Sequence, residues 1–198
     1  SLMDREIGRI LDALEEQGVI DNTLIVFTTD HGHYLGHHGL IAKGAFHYDD
    51  GIRLPFLAAW QGRIAPDSES DALTNLVDLP VTFLDACGLD VPLGMQGNSQ
   101  LPVWTGETDR INDHTICEFR HQPKSIHLRT LITDRYKFTL YREQPDWGEL
   151  FDLETDPGEL DNKFHDPDYA KVRAQLFETF MQAELQREPI LTPRTAIA

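Results

Sequence analysis

Cysteine is scarce. Two in 198 residues cannot make the disulfide framework of a small secreted scaffold, and they leave the redox compartment open. Positive charge is scarce as well: 17 Lys and Arg stand against 33 Asp and Glu, for a formal net charge of −16. Nucleic-acid phosphates are bound by clustered cations, so this balance excludes a nucleic-acid partner. It also repels the chain from anionic surfaces. Long apolar runs are missing. Stretches such as Leu24 to Phe27 fall far short of the ~20 residues a helix needs to cross a bilayer, so no membrane partner is expected. No basic segment followed by an apolar one opens the chain, so no leader is read. A leader lying upstream would escape this reading, and localisation therefore stays open. What is present suffices for a core: 40% of residues are hydrophobic and 25% charged, a balance that argues against disorder.

Ser1-Leu2-Met3 runs straight into a helical pattern, with Met3, Ile7, Ile10, Leu11 and Leu14 spaced by three and four, and the helix should end near Gly18. With no starting Met, the chain reads as a piece of something longer. Leu24 to Thr29 lacks polar alternation and predicts a strand buried on both faces, as in a parallel sheet. Leu54 to Trp60 predicts a second strand, with Pro55 at its start. Leu76, Leu79, Val81, Phe83 and Leu84 predict a helix with Pro80 near its first turn, ending around Gly88. Residues 90 to 112 read as connection. From residue 113 the character changes. His114–Phe119, Leu128–Thr133, Tyr136–Tyr141 and Gly148–Leu153 are short strand-like runs separated by turns, which predicts a small antiparallel sheet. Asp168 to Gln186 reads as a closing helix, and Pro189 and Pro193 mark an irregular tail. The expected organisation is an α/β core over 1–112 and a small α+β subdomain over 113–198.

Three features carry possible chemistry. Asp30-His31-Gly32 follows the first strand directly, where open α/β sheets place ligand sites. A carboxylate and an imidazole there can share a divalent cation if the chain turns at Gly32; the alternative is a hydrogen-bonded turn. His31, His33, His37, His38 and His47 fall within 17 residues, but Gly32, Gly36 and Gly39 break the helical spacing that a zinc helix requires. Most of these histidines therefore read as ordinary loop partners. Lys43, in Ala42-Lys43-Gly44, can bind sulfate or phosphate oxygens or simply be a solvated lysine. Cys87 and Cys117 sit among apolar residues and read as packing.

Taken together, the motifs resemble the sulfatase family of the alkaline-phosphatase-like superfamily. They are Asp21 to Gly32, Leu35-Gly36-His37-His38-Gly39-Leu40, Lys43-Gly44 and Ile52 to Phe56, followed by Val77 to Asp85, Arg135-Tyr136-Lys137-Phe138 and Glu149 to Asn162. The order matches over nearly the whole chain. The resemblance implies an α/β fold: part of an alkaline-phosphatase-like parallel or mixed sheet with helices, then an antiparallel sheet and helix. It implies that Asp30 and His31 ligate one divalent cation, calcium first, with manganese or magnesium as alternatives. Lys43 would be the catalytic lysine that holds the sulfate group. His38 and His47, with Tyr48, would stand on the substrate side. The substrate would be a sulfate-ester small molecule or a sulfated carbohydrate.

One departure stands out. The family's formylglycine nucleophile is made from the Cys or Ser that opens a C/S-x-P/A-x-R motif, and this sequence has none. Cys87 is followed by Gly88-Leu89-Asp90-Val91, and Cys117 by Glu118-Phe119-Arg120-His121. The chain therefore resembles the C-terminal half of a metal-dependent sulfatase without its nucleophile, expected to be inactive alone and to need an N-terminal half or to self-associate. The alternatives are a phosphonate or phosphate ester hydrolase of the same superfamily, or a non-catalytic interaction module.

Overall fold

In the computed structural model, residues 1–120 and 126–187 are described; the tail marked by Pro189 and Pro193 lies outside them. Helix α1 (Leu2–Glu16) starts where the Ser1 hydroxyl accepts the Asp4 amide at 3.1 Å. It ends in a Schellman pair: Gly18 N donates to Glu15 O at 2.8 Å and Val19 N to Leu14 O at 3.1 Å. Strands β1 (Ile25–Phe27) and β2 (Leu57–Ala59) pair antiparallel, with Val26 opposite Ala58. One-turn helix α2 (Asp49–Ile52) lies between them in sequence. Helix α3 (Asp78–Ala86) follows, with Pro80 in its first turn. A further single turn, α4 (Leu101–Trp104), interrupts the segment that reads as plain connection.

The first strand departs from its expected surroundings. Leu24 to Thr29 predicts a doubly buried parallel strand, yet among the described residues β1 pairs with β2 alone, antiparallel, and Phe27 is 36% exposed. Its uninterrupted apolar character has no matching cover among the described residues. Cys87 also differs from its reading as packing. It is the C-cap of α3 and lies exposed, while Cys117 is half-buried in the sheet described next.

The second sheet orders β3 (Thr115–Arg120), β4 (His127–Ile132), β5 (Tyr136–Tyr141) and β6 (Gly148–Asp152) as an antiparallel meander. Register sorts its side chains into two rows. Ile116, Leu131, Phe138 and Leu150 stand opposite one another in turn and face helix α5 (Ala170–Gln186). With Phe164, Leu176, Phe180 and Ala183 they form the core. Cys117, Thr130, Thr139 and Glu149 make the other row, on the opposite face. That face is polar and still buried: Thr130, Lys137 and Thr139 are almost fully covered. The loop of residues 33–53 contributes to the cover, which is how the second sheet positions the site.

Asp78 joins the two halves from the start of α3. Its buried carboxylate accepts from the backbone amides of Asn75 and Asn98, both at 2.9 Å, and from the Asn112 side chain at 3.1 Å. The Asn75 side chain in turn donates to Thr115 Oγ1 and Ile116 O on β3. A buried carboxylate needs this many donors, and these fasten the segment before α3 to the second sheet.

Candidate active site

Asp30 and His31 follow β1 by three and four residues. Asp30 is highly exposed, its side chain 83% accessible. Its carboxyl lies below the usual carboxylate range, because its own backbone amide and the amide of His31 favour the charged form. Its Oδ1 accepts the His31 amide at 3.0 Å, and its Oδ2 lies 3.6 Å from His31 Nε2. His31 Nδ1 lies 2.9 Å from the Gly32 carbonyl oxygen. A carbonyl can only accept, so Nδ1 carries the proton and Nε2 presents its lone pair. Lys43 Nζ donates to that nitrogen at 2.9 Å. Thirteen residues apart in sequence, Asp30, His31 and Lys43 thus form one cluster.

The turn that brings them together is tightly packed. Gly32 N donates to Gly51 O at 2.9 Å, and a Cβ at Gly32 would lie 2.0 Å from the Asp50 carbonyl oxygen. Only glycine fits against α2 there. Tyr34 is buried, its hydroxyl donating to Phe46 O at 2.6 Å. Its ring lies where a Cβ on Gly44 or Gly51 would meet it at 3.3 or 3.2 Å, so it holds the segment beside Lys43 against α2.

The remaining histidines separate. His38 stacks on Tyr48, with ring centroids 3.7 Å apart and planes 4° from parallel, in a backbone conformation at φ 52. His37 Nδ1 reaches Asp50 Oδ1 at 2.8 Å. His47, expected on the substrate side, turns its ring into the second sheet. It is buried, and its Nδ1 is 2.8 Å from Thr130 Oγ1, which is 2.8 Å from Thr139 Oγ1. Burial, helped by the charge of Lys137, pushes the His47 imidazole down to about 4. The His33 ring lies beside that of His31, with centroids 6.0 Å apart and planes tilted by 53°. Among the described residues no group of three or more His, Cys, Asp or Glu gathers as a metal site.

A second cluster is not legible from sequence. Lys137 on β5 is 1% exposed and pairs with Asp49 of α2 and, at 2.5 Å, with Glu159 Oε1. Glu159 Oε2 accepts the Asp49 amide at 2.7 Å. Beside it, burial raises the Glu149 carboxyl and pushes the Tyr48 hydroxyl up to about 12. A lysine in a strand ordinarily faces water, so nothing local marks Lys137 as buried. Its neighbours in the Arg135-Tyr136-Lys137-Phe138 motif are the one available signal.

A carboxylate, an imidazole lone pair and a lysine come together just beyond the end of β1, in an α/β fold that superposes on the C-terminal part of alkaline-phosphatase-like sulfatases. Residues 36–186 match the family model described as N-sulphoglucosamine sulphohydrolase, C-terminal, and the chain belongs to this sulfatase family. An N-acetylglucosamine-6-O-sulfatase of Bacteroides thetaiotaomicron is 33% identical over 190 residues, covering 93% of this chain and 34% of that protein. A solved structure of a protein with its substrate D-glucosamine-2-N,6-O-disulfate superposes with a TM-score of 0.86 at 31% identity, over 93% of this chain and 38% of that one. The phosphonate monoester hydrolase of Agrobacterium radiobacter superposes at 0.82 with 28% identity, over 93% and 39%. The chain therefore spans little more than a third of the length of these relatives.

Proposed function

We propose that this chain supplies the cation-ligand and oxyanion-binding wall of an enzyme that hydrolyses sulfate monoesters of carbohydrates. The contact of Lys43 Nζ with His31 Nε2, beside Asp30, carries the reading. The residues present suit a divalent cation. Asp30 Oδ2 and His31 Nε2 lie close enough to share one ion, and the Nδ1 bond to Gly32 O fixes the tautomer that ligation needs. Two ligands are half a set, and a carboxylate with an imidazole accommodates calcium, manganese or magnesium. When bound, the cation supplies Lewis-acid polarisation of the ester oxygens. The Nε2 lone pair serves one partner at a time, so with a cation held by Asp30 and His31 the three N–H donors of Lys43 would be available to the sulfate. There its charge offsets the charge that builds on oxygen as the S–O bond breaks. The His38–Tyr48 stack, on the same loop as Lys43, stands as the substrate-side surface. The nucleophile, a formylglycine hydrate, comes from outside these 198 residues.

The test is hydrolysis of 4-nitrophenyl sulfate with Ca2+ or Mn2+ present. It compares the chain alone with the chain joined to the coding sequence upstream of it, co-expressed with a formylglycine-generating enzyme. Turnover only in the joined sample, reduced about 10²- to 10³-fold by Lys43→Ala, is the expected result. Turnover by the chain alone would show that another residue here is the nucleophile. The likeness to the phosphonate monoester hydrolase supports a second reading, since sulfate and phosphonate esters present similar tetrahedral oxyanions. Faster turnover of a phenyl phosphonate ester in the same assay would favour it.

A further inference from the structure

We propose that Lys137, on a strand that carries none of the site's residues, is the positioning residue of the Asp30–His31–Lys43 cluster and acts through α2. The inference rests on the reading of that cluster given above. A one-turn helix cannot hold its place by its own hydrogen bonds. Helix α2 is held from outside. The Asp49 amide donates to Glu159, and the Asp49 carboxylate pairs with Lys137, whose ammonium also reaches Glu159.

The other side of α2 carries the site. Gly51 O takes the Gly32 amide, and the Asp50 carbonyl lies where no side chain at residue 32 could stand. The turn that aims Asp30 and His31 is therefore built on the α2 backbone. Tyr34, between Gly44 and Gly51, transmits the same placement to the segment of Lys43. Moving α2 moves both partners of the Lys43–His31 contact.

Energetics also point to position. Burying an ammonium and two carboxylates is costly, and such groups often give no more stability than an apolar replacement of equal volume. An ion cluster does define where its members must sit. Glu159 is held at φ 55, a conformation uncommon outside glycine, to complete the arrangement.

Amide hydrogen exchange on the 198-residue chain tests this. The variants are Lys137→Met, Lys137→Arg, and the neutral triple Asp49→Asn, Lys137→Met, Glu159→Gln. The triple removes the uncompensated charge that could unfold the single variant, and it decides the question if Lys137→Met does not fold. The expected result is exchange at least tenfold faster at the Gly32, Tyr34 and Gly51 amides in the triple variant. The sheet amides of Leu131 and Phe138 should stay within threefold of wild type, and Lys137→Arg should restore most of the local protection. Wild-type exchange at the three loop amides in the triple variant would overturn the proposal. So would a uniform acceleration at all five amides, which would mean that Lys137 only adds global stability. No ester enters the measurement, so its failure and that of the sulfatase reading are separate results.

Discussion

The chemistry turns on which nitrogen of His31 is free. Gly32 O holds the proton on Nδ1 and leaves Nε2 facing Lys43 and Asp30. Mn2+ added to the chain is therefore expected to broaden the His31 ring proton signals before those of the other histidines. Asp30→Asn should raise the Mn2+ needed by about tenfold or more, since even an outer partner of a metal ligand is worth that much. Broadening of His33 or His37 first, unaffected by Asp30→Asn, would place the cation elsewhere. His47 behaves differently. Its imidazole is neutral in the folded protein down to about pH 4, whereas in the unfolded chain it takes up a proton near 6.5. Its contribution is thus whole above pH 6.5 and shrinks as pH falls toward 4, by at most about 3 kcal/mol. The buried Glu149 and Glu159 carboxyls, both raised, favour the fold as pH falls and partly hide this loss. His47→Gln isolates it. Wild type should lose more urea stability than the variant between pH 7 and 4.5, and parallel losses would reject the assignment.

At the scale of elements, the sequence reading and the structure agree most where the period is strong. Tyr136 to Tyr141 alternates strictly, and register puts Tyr136, Phe138 and Leu140 on the α5 side as that alternation implies. The same alternation misleads about Lys137 and Thr139. Polar residues on every second position imply a solvent face, yet the loop of residues 33–53 covers them. Burial on that side depends on a segment some ninety residues earlier, and no local pattern encodes it. That Asp30, His31 and Lys43 lie together follows from no period; they were singled out because they belong to short motifs of fixed order, and the structure places them side by side. The clamp beneath them joins Asp49, Lys137 and Glu159 across more than a hundred residues, and only tertiary structure assembles it. His47 reads as one more loop histidine until Thr130 is placed against it. The α5 side makes a quantitative prediction. Phe138 is fully buried among Phe164, Phe177 and Phe180, with centroids at 5.9, 4.9 and 6.2 Å. Phe138→Ala should cost about 3–5 kcal/mol in denaturant unfolding. A loss under about 1 kcal/mol would mean that the site collapses around the missing ring.

For the whole molecule, charge and apolar surface act in opposite directions. A net charge of −16 keeps like copies apart at low salt. Against it stands an apolar surface on the N-terminal elements. Helix α1 buries none of its residues fully and shows Leu2, Met3 and Ile10, the last 63% exposed. On β1 and β2, Phe27 stands directly opposite Leu57, which is 68% exposed. Two three-residue strands with no third strand paired to them among the described residues, and with an apolar face, are a poor end state in water. Relatives nearly three times as long have chain available to cover such a surface. In the isolated chain, copies of itself are the available cover. Sedimentation at tens of micromolar should therefore show self-association that strengthens with salt, because screening removes the repulsion and leaves the apolar term. Ile10→Glu with Leu57→Lys should return the chain to a monomer without lowering the protection of the Leu131 and Phe138 amides, since neither position touches that core. A wild-type chain that sediments as a monomer at all concentrations and salts would show that α1 and the β1–β2 pair are stable as they stand, with the acidic surface outweighing their exposed apolar side chains.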